Sequence, residues 1–306
     1  MRLKFQFNTY QRRFKQPLRT SQGIWHVREG IIISLSDGVN TAQGEIAPLP
    51  WFGSETLAEA LNYCQQLKGA IAVKDIGKIP DRFPCCQFAF ESALINLNQD
   101  RANSVNKLDY CYLLPAGEEA FSWRNIYARQ RNSTFKWKIG VYPLEAEIEI
   151  LKQLVKILPE RVKLRLDANG GFNLTQAKKL LSVTDSFKAI EFIEQPLPPD
   201  NLAQMLDLSQ EYSTPLALDE SVASFQQLQF AHQQGWQGVF VVKASIMGFP
   251  SRLIKYCQQH SLDVVFSSVF ETEIGRNAVL NLAQQYGDKP SGQTLRAVGF
   301  GLDYFV

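Results

Sequence analysis

Apolar and polar residues alternate with a period of two near the start of the chain. Leu3, Phe5 and Phe7 are separated by charged or polar residues, which predicts a strand with one buried face. The mostly apolar run 31–35 is followed by Ser-Asp-Gly, as expected for one arm of a hairpin. Apolar residues recur at helical spacing over 55–68 and 85–99, and the polar stretch 98–107 indicates a linker. The pattern therefore predicts a small α+β domain over residues 1–108.

From residue 110 onward, short apolar runs alternate with helical patterns. The predicted strands are 111–114, 134–138, 162–167, 190–194, 215–219, 238–243, 264–267 and 297–301. Asn173 stands where it would cap the helix after the third of these strands. Such alternation indicates a parallel sheet, and eight strands without an internal edge indicate a closed α/β barrel. We assign this barrel to residues 109–306, with the C-terminal tail expected to pack on the first domain.

Five charged residues recur at near-constant spacing along the predicted barrel. Lys138, Asp167, Glu194, Asp219 and Lys243 are separated by 29, 27, 25 and 24 residues, about the length of one strand-plus-helix unit. Each ends or nearly ends an apolar run. Because the C-terminal ends of barrel strands converge on one mouth, two lysines and three carboxylates are expected to face a single pocket. Strand alternation supports this for all except Glu194, whose strand is apolar on both faces.

The three carboxylates predict a metal site. Alone, Asp167 is typical of a turn, Glu194 of a solvated strand end and Asp219 of a helix cap, but all three occur on consecutive units. Like charges about 4 Å apart repel by roughly 4 kcal/mol at an effective dielectric of 20, and a hard divalent cation removes that cost. Ligands that are all oxygen favour Mg²⁺, or Mn²⁺ in its place, over zinc.

The lysines predict acid–base chemistry. Lys136 and Lys138 alternate in Thr-Phe-Lys-Trp-Lys and share one face of their strand, and Lys243 follows Val-Phe-Val-Val. A single lysine at a strand end is usually solvated, but partial desolvation beside other cations lowers the pKa of a lysine so that it can act as a base. A cation on a substrate carboxylate acidifies the α-proton and stabilises the resulting enediolate. The set predicts proton abstraction next to the carboxylate of a small-molecule substrate.

Composition narrows the class of protein. The 306 residues carry a net charge of only +2, so nucleic acid is not an expected partner. No apolar run reaches membrane-spanning length, and none follows Arg2 and Lys4 as a secretory signal would require. Three scattered histidines do not suggest a histidine metal site or a Ser-His-Asp triad, and five cysteines match neither a zinc site nor a disulfide framework. A cytoplasmic location is expected, and the oligomeric state is left open.

The motifs around these charges resemble a known family. They are Lys-Trp-Lys at 136–138, Leu-Asp-Ala-Asn-Gly at 166–170, Glu-Gln-Pro at 194–196, Leu-Asp-Glu-Ser at 218–221 and Val-Lys at 242–243. Together they resemble the enolase superfamily in its muconate-cycloisomerase-like branch, over almost the whole chain. The resemblance implies a modified (β/α)₇β TIM-like barrel with an N-terminal α+β capping domain, and a site that binds Mg²⁺.

Within that branch the chain is most similar to the o-succinylbenzoate synthase family. The similarity includes Pro17-Leu-Arg-Thr with Gly23, Gly44-Glu-Ile-Ala-Pro-Leu-Pro with Phe52, and Ser267-Ser268 with Glu271. It implies a Mg²⁺-dependent lyase that dehydrates 2-succinyl-6-hydroxy-2,4-cyclohexadiene-1-carboxylate to o-succinylbenzoate, on the route to menaquinone or phylloquinone.

The resemblance also implies a role for each matching position. Lys138 would be the acid/base, Lys243 would stabilise the enediolate from the opposite face, and Lys136 would orient Lys138 and hold the carboxylate. Asp167, Glu194 and Asp219 would bind the metal, supported by Asn169, Gln195 and Glu220, while Arg165 would balance charge one layer below. Substrate contacts would come from Ser267 and Ser268, and from Thr20, Ser21 and Gly23 in a mobile loop, 19–23, over the barrel mouth.

Other functions fit the same residues. An N-acylamino-acid racemase also needs a base on each face, which Lys138 and Lys243 would supply. A dipeptide epimerase or a cycloisomerase is a further alternative, although the Asp-x-Asp of the epimerases is reduced here to Asp303. A catalytically inactive barrel is disfavoured because every ligand and lysine is present. The basic N-terminal stretch is interpreted as a solvated hairpin rather than an anion-guiding surface.

Overall fold

A computed structural model describes residues 1–20, 23–98, 108–125, 134–287 and 295–301. The first part of the chain forms a four-stranded antiparallel sheet in the order β3-β2-β1-β4. Its strands are β1 (Arg2–Thr20), β2 (Gly23–Ser36), β3 (Thr41–Ile46) and β4 (Ala70–Ala72). Three helices accompany it, at Leu57–Gln66, Val73–Ile76 and Pro84–Asn98. The strand pattern and both longer helices of the first domain are therefore present where the sequence predicts them.

The buried face of this sheet packs on the helix Pro84–Asn98. Leu3, Phe5 and Ile33 are at most 3% exposed, as their alternation predicts. Gly44 of β3 lies directly against the backbone of Ala89 in that helix, where a Cβ would collide with the Ala89 carbonyl. Glycine at this position therefore allows close packing of strand and helix.

The second part of the chain forms an eight-stranded parallel sheet. Its strands are β5 (Tyr110–Leu114), β6 (Thr134–Lys138), β7 (Lys163–Asp167), β8 (Ile190–Glu194), β9 (Leu216–Leu218), β10 (Val239–Val242), β11 (Val264–Phe266) and β12 (Val298–Gly301). Their order is β11-β10-β9-β8-β7-β6-β5-β12. A parallel bridge between Ser267 and Gly299 connects the two edge strands, so the sheet is nearly closed into the predicted barrel. Asp219, Lys243 and Ser267 lie immediately beyond the ends of their strands.

Where the structure describes the chain, six helices of nine or more residues follow strands of this sheet. They are Leu144–Ile157, Leu174–Thr184, Leu202–Glu211, Phe225–Gln233, Pro250–Gln259 and Glu273–Gly287. Asn173 caps the second of these, since its side chain accepts a hydrogen bond from the Gln176 amide at 2.9 Å. None of the helices in the described ranges is long and apolar enough to cross a membrane.

A β-bulge explains why simple alternation did not fit the strand that carries Glu194. Leu164 of β7 pairs with Ile190, but the next residue, Arg165, pairs with Phe192. Glu191 is therefore the extra residue of the bulge, which shifts the phase of the strand. As a result Phe192 joins the small apolar cluster inside the barrel, whereas Ile190 and Ile193 belong to the outer core.

A buried carboxylate joins the antiparallel sheet to the barrel. Glu45 of β3 accepts hydrogen bonds from the amides of Thr272 and Gly275, both at 2.9 Å, at the start of the helix Glu273–Gly287. Its other contacts are the hydroxyl groups of Thr272, at 2.5 Å, and of Tyr10. Glu45 therefore acts as an N-terminal cap supplied from the other sheet, where a negative charge also complements the helix dipole.

Candidate active site

The C-terminal ends of the barrel strands open into a cavity of about 430 Å³. Most of the residues singled out from the sequence line it. These are Lys136, Lys138, Arg165, Asp167, Asn169, Glu194, Asp219, Glu220, Lys243, Ser267 and Ser268. Charges that are far apart in sequence therefore meet in one pocket, as their spacing predicts.

Strand register arranges the charges in two layers. In the strand register, the backbone of Lys138 lies beside that of Asp167, and the backbone of Asp167 lies beside that of Glu194. These three residues therefore form the layer nearest the mouth. Lys136 pairs with Arg165, and Arg165 with Phe192, one layer below. Trp137, between the two lysines, is fully buried in the outer core. The alternation of side chains along a strand thus directs both lysines into the barrel.

The strand order places the two principal lysines on opposite walls. Lys138 ends β6, Lys243 follows β10, and four steps around an eight-stranded barrel separate these strands. The carboxylates Asp167, Glu194 and Asp219 lie on β7, β8 and just after β9, which are the three strands between them. A substrate above the carboxylates would therefore have one lysine on each side.

Each carboxylate pairs with a lysine. The Lys136 ammonium lies 2.8 Å from Asp167 Oδ2 and 2.7 Å from Glu194 Oε1, and Lys243 pairs with Asp219. Burial and the charge of Asp167 raise the pKa of Glu194 well above its usual range. Burial lowers the pKa of Lys136, but the nearby carboxylates outweigh it and hold that pKa well above its ordinary value. The pKa of Lys136 is therefore shifted in the direction opposite to the lowering that is expected for a lysine acting as a base.

The oxygen atoms of Asp167, Glu194 and Asp219 are suitable ligands for a hard cation, although in this structure they form ion pairs with lysine ammonium groups. Among the described residues, no three carboxylates, histidines or cysteines enclose a common point in this arrangement. The three carboxylates are nevertheless at most 7% exposed, and two lysines and a divalent ion would offset their charge. Three buried carboxylates with no nitrogen or sulfur donor match the preference of Mg²⁺.

Asn169 links Asp167 to Glu220, the residue after Asp219. The Asn169 amide donates to Asp167 Oδ1, and its side chain donates to Glu220 Oε1, both at 3.1 Å. Asn169 adopts a left-handed backbone with φ of 45°, which asparagine tolerates better than most residues. Burial and the neighbouring Asp219 charge raise the pKa of Glu220 to about 7.

Gln195 contacts the backbone of Asp219 and its neighbours rather than the cavity. It is fully buried, and its side-chain oxygen accepts hydrogen bonds from the amides of Asp219 at 3.0 Å and Ser221 at 3.1 Å. Its side-chain nitrogen donates to the Leu197 carbonyl at 2.9 Å. Gln195 therefore fixes the turn that presents Asp219, and its role in supporting a metal ligand stays a prediction.

Arg165 belongs to an ion network beneath the carboxylates. Its guanidinium lies 2.8 Å from Glu191 and 4.9 Å from the centre of the Phe192 ring. Glu191 is also paired with Arg296, which in turn binds Asp263. The bulge that exposes Glu191 to the barrel interior thus supplies the partner of Arg165, and a charge-balancing role follows from this contact.

The two serines after β11 differ in their hydrogen bonds. The Ser268 hydroxyl donates to Glu271 Oε2 and accepts from the Phe270 amide, both at 2.8 Å. The hydroxyl hydrogen of Ser268 is therefore already used in a bond within the protein, and a contact of Ser268 with the substrate stays a prediction. Glu271 is buried, which raises its pKa to about 7. Ser267 remains the better candidate for a substrate contact.

The predicted loop at 19–23 is in part a paired strand end, and its mobility and its place over the barrel mouth stay predictions. Arg19 pairs with Ile24, and Thr20 with Gly23, as the last rungs of the β1–β2 ladder. The hairpin therefore extends further than the small residues suggested, because cross-strand pairing continues beyond the bulge between Arg13 and Leu18. Ser21 lies outside the described residues.

An aromatic wall over the pocket was not predicted. Trp25 forms edge contacts with Phe14, Trp51 and Phe270 at centroid distances of 5.0, 5.0 and 5.8 Å. Trp25, Trp51, Phe52 and Phe270 all line the cavity. Three of them come from the antiparallel sheet and its following turn. Phe52 stood in a motif shared with the family, whereas Trp25 and Trp51 gave no signal beyond their aromatic character.

Comparisons with known proteins agree with this geometry. Residues 120–297 match the family model described as Enolase C-terminal domain-like, and residues 5–97 match the MenC N-terminal domain. The o-succinylbenzoate synthase of Thermosynechococcus vestitus is 38% identical, over 98% of this chain and 93% of that protein. The enzyme of that name from Pasteurella multocida is 29% identical, over 85% and 79%.

Solved structures give the same result. The o-succinylbenzoate synthase from Thermosynechococcus elongatus BP-1, complexed with Mg in its active site, superimposes with a TM-score of 0.91 and 37% identity, covering 99% of this chain and 94% of that one. The L-Ala-D/L-Glu epimerase from Bacillus subtilis has a TM-score of 0.82 at 20% identity, covering 99% and 90%, and so shares the fold. The chain belongs to the o-succinylbenzoate synthase family of the enolase superfamily.

Proposed function

We propose that the pocket dehydrates 2-succinyl-6-hydroxy-2,4-cyclohexadiene-1-carboxylate to o-succinylbenzoate through the residues derived above. The observation that carries this proposal is the arrangement of Lys138 and Lys243 on opposite walls, with Asp167, Glu194 and Asp219 on the strands between them. The reaction removes the proton on the carbon that bears the carboxylate, and the hydroxyl group on the adjacent carbon. Loss of one water molecule leaves an aromatic ring.

Lys138 serves both proton transfers. Its neutral amine takes the α-proton, and the electron pair of the broken C–H bond moves into the carboxylate to form an enediolate. The resulting ammonium then donates the same proton to the departing hydroxyl as the C–O bond breaks. Both groups lie on one face of the ring, so a single positioned residue suffices.

Lys243 and Lys136 remain charged throughout. The Lys243 ammonium, on the opposite wall, offsets the negative charge that develops on the enediolate. Lys136, between Asp167 and Glu194, holds these carboxylates in place and provides a fixed positive charge below Lys138. Ser267, at the cavity rim, is proposed to donate a hydrogen bond to the substrate.

Asp167, Glu194 and Asp219 would hold Mg²⁺, with Mn²⁺ able to replace it. When bound, the cation supplies positive charge to the substrate carboxylate, which acidifies the α-proton. Asn169 and Gln195 orient two of these ligands through the hydrogen bonds described above. We also propose a reducing, cytoplasmic location, which is supported by Cys64, Cys85, Cys86 and Cys111, which are buried and form no disulfide in the described part of the chain.

Racemisation of N-acylamino acids is the second candidate activity. Two lysines on opposite walls allow deprotonation on one face and reprotonation on the other, and this arrangement alone favours it. The two activities differ in the role of Lys243. In racemisation it donates a proton to the substrate, whereas in dehydration it only supplies a positive charge.

A substrate panel tests the proposal. The purified protein is assayed with the cyclohexadiene substrate by following aromatisation in the ultraviolet, beside N-acylamino acids and dipeptides, before and after chelation. We expect rapid aromatisation that is lost on chelation and returns with Mg²⁺ or Mn²⁺. Faster turnover of an amino-acid derivative would reassign the substrate, and full activity in a protein shown to hold no metal would exclude the proposed metal site.

A further inference from the structure

Lys243 is held by two groups of different chemistry. On one side it pairs with Asp219. The centre of the Phe52 ring, which comes from the antiparallel part of the chain, lies 4.4 Å from its Nζ. A cation within about 6 Å of a ring centroid is attracted by the negative face of the ring. Lys243 is only 11% exposed, so this attraction operates in a partly desolvated site, where it is stronger.

A rigid turn presents Phe52. Residues Pro50–Phe52 form a single 3₁₀ turn that ends at Gly53, which has φ of 83°. The turn is closed by a bond from the Gly53 amide to the Pro50 carbonyl at 2.9 Å, and the Leu49 amide donates to the Ser54 hydroxyl at 2.8 Å. Proline fixes φ at the start of the turn, and glycine at its end tolerates the left-handed conformation that closes it.

The base of this turn is anchored in the helix Pro84–Asn98. The buried Glu55 carboxylate accepts hydrogen bonds from the amides of Cys85 at 3.1 Å and Cys86 at 2.9 Å. Two buried amides at the helix start, which have no acceptor within the helix, are thereby satisfied. Phe52 is therefore fixed to the antiparallel sheet and its helix, while its ring reaches a lysine on the barrel.

We propose that Phe52 is a positioning residue for Lys243, and that its ring stabilises the Lys243 ammonium while the enediolate forms. This inference rests on the proposed role of Lys243. Asp219 cannot fulfil both of its tasks fully, since a carboxylate that binds a cation has less charge to offer Lys243. The aromatic face is not an oxygen donor of the kind that a hard cation prefers, so it keeps the ammonium in place when Asp219 binds a metal. The antiparallel sheet thus contributes to the electrostatics of the barrel site.

Substitutions that change only the electronics of the ring test this inference. Phenylalanines carrying one, two and three fluorines are incorporated at position 52, with cyclohexylalanine as a ring of similar shape that lacks the aromatic face. We expect kcat to fall progressively with fluorination, and to fall about 2- to 30-fold with cyclohexylalanine, while KM and the melting temperature change little. Phe52→Tyr and Phe52→Trp should retain most of kcat. A kcat that is flat across the fluorinated series would overturn the inference.

A second measurement does not depend on turnover. In protein labelled with ¹³C-lysine, the ε-CH₂ signal of Lys243 should be shifted upfield by the Phe52 ring current, and Phe52→Leu should abolish that shift. Lys243→Arg identifies the signal, and Phe230→Leu, at an exposed ring on a barrel helix, serves as the control. An unshifted Lys243 signal would refute the contact, whatever the activity.

The two proposals fail in different ways. If Lys243→Met keeps the kcat of the native enzyme, the role proposed for Lys243 is wrong, whether or not the ring current is seen. If Lys243→Met is slow but the fluorinated series is flat, the role of Lys243 stands and that of Phe52 is wrong.

Discussion

Replacing Lys136 with methionine would leave buried carboxylates without their counterion. The Lys136 ammonium lies within 2.8 Å of both Asp167 and Glu194, and Glu194 is only 2% exposed. Methionine is similar in length but neutral, so the variant removes the charge with little change in packing. The substitution therefore isolates the electrostatic role of Lys136.

The expected loss of stability follows from this geometry. Removing one partner of a buried ion pair typically costs about 3–5 kcal/mol. Repulsion between two carboxylates about 4 Å apart is of the same order, roughly 4 kcal/mol at an effective dielectric of 20. Since Lys136 neutralises two carboxylates together, we expect Lys136→Met to lower the free energy of unfolding by about 3–5 kcal/mol in the presence of EDTA.

A divalent cation should reverse much of this loss. If the carboxylates bind Mg²⁺, the ion takes over the charge balance, and a ligand at 100 times its Kd stabilises a protein by about 2.7 kcal/mol. The measurement is urea denaturation of both proteins with EDTA and with saturating Mg²⁺. We expect Mg²⁺ to stabilise the variant more than the native protein, because the competing ammonium is gone.

The control is Lys178→Met, which removes an exposed ion pair to Glu211 and should change stability little under either condition. An equal or smaller effect of Mg²⁺ on Lys136→Met than on the native protein would refute the reasoning. It would mean that the carboxylates beside Lys136 do not hold the ion.

Three further outcomes follow from the same contacts. Asp167→Asn, Glu194→Gln and Asp219→Asn should each weaken Mg²⁺ binding and lower kcat/KM, as measured by calorimetry and kinetics, because each removes a charged ligand. Glu45→Ala should lower the free energy of unfolding by about 2–4 kcal/mol in urea denaturation, because the helix at Glu273 loses its cap and buried donors lose their acceptor. The folded-state pKa of Glu271 is raised to about 7, so its contribution to stability is present below the unfolded pKa and is lost as the pH rises through 7. Glu271→Gln should therefore flatten the pH dependence of unfolding between pH 4.5 and 7, by on the order of 3 kcal/mol, and an unchanged pH profile would contradict this.

Much of the barrel and its charges could be predicted from the sequence. Strand ends were marked by single charges after apolar runs, and the nearly constant intervals between Lys138 and Lys243 followed from a repeated strand–helix unit. The repeat fixes where each charge stands in the barrel, so the positions of Asp167 and Asp219 follow from the sequence alone. These features depend on local pattern and on a regular topology.

Features that depend on local irregularity or on distant contacts were not predictable. The bulge at Glu191 reverses the phase of its strand, and no alternation rule signals it. The extent of the β1–β2 hairpin is set by cross-strand pairs rather than by the small residues at its tip. The hydrogen bond from Ser268 to Glu271 forms because the chain turns back on itself after β11. The contact of Phe52 with Lys243 forms because segments far apart in sequence come together.

The central claim is that Lys138 carries both proton transfers, and one kinetic measurement tests it most directly. Aromatisation of the cyclohexadiene substrate is followed for the native enzyme, Lys138→Ala and the control Lys156→Ala, which changes an exposed lysine on a barrel helix. A positioned base contributes about 10²–10⁴-fold to a single proton transfer, and here one residue serves two. We therefore predict that Lys138→Ala loses at least about 10²-fold in kcat with substrate affinity nearly unchanged, while the control behaves like the native enzyme. A Lys138→Ala variant that retains more than about a tenth of the native kcat, far above the residual expected without a base, would contradict the account.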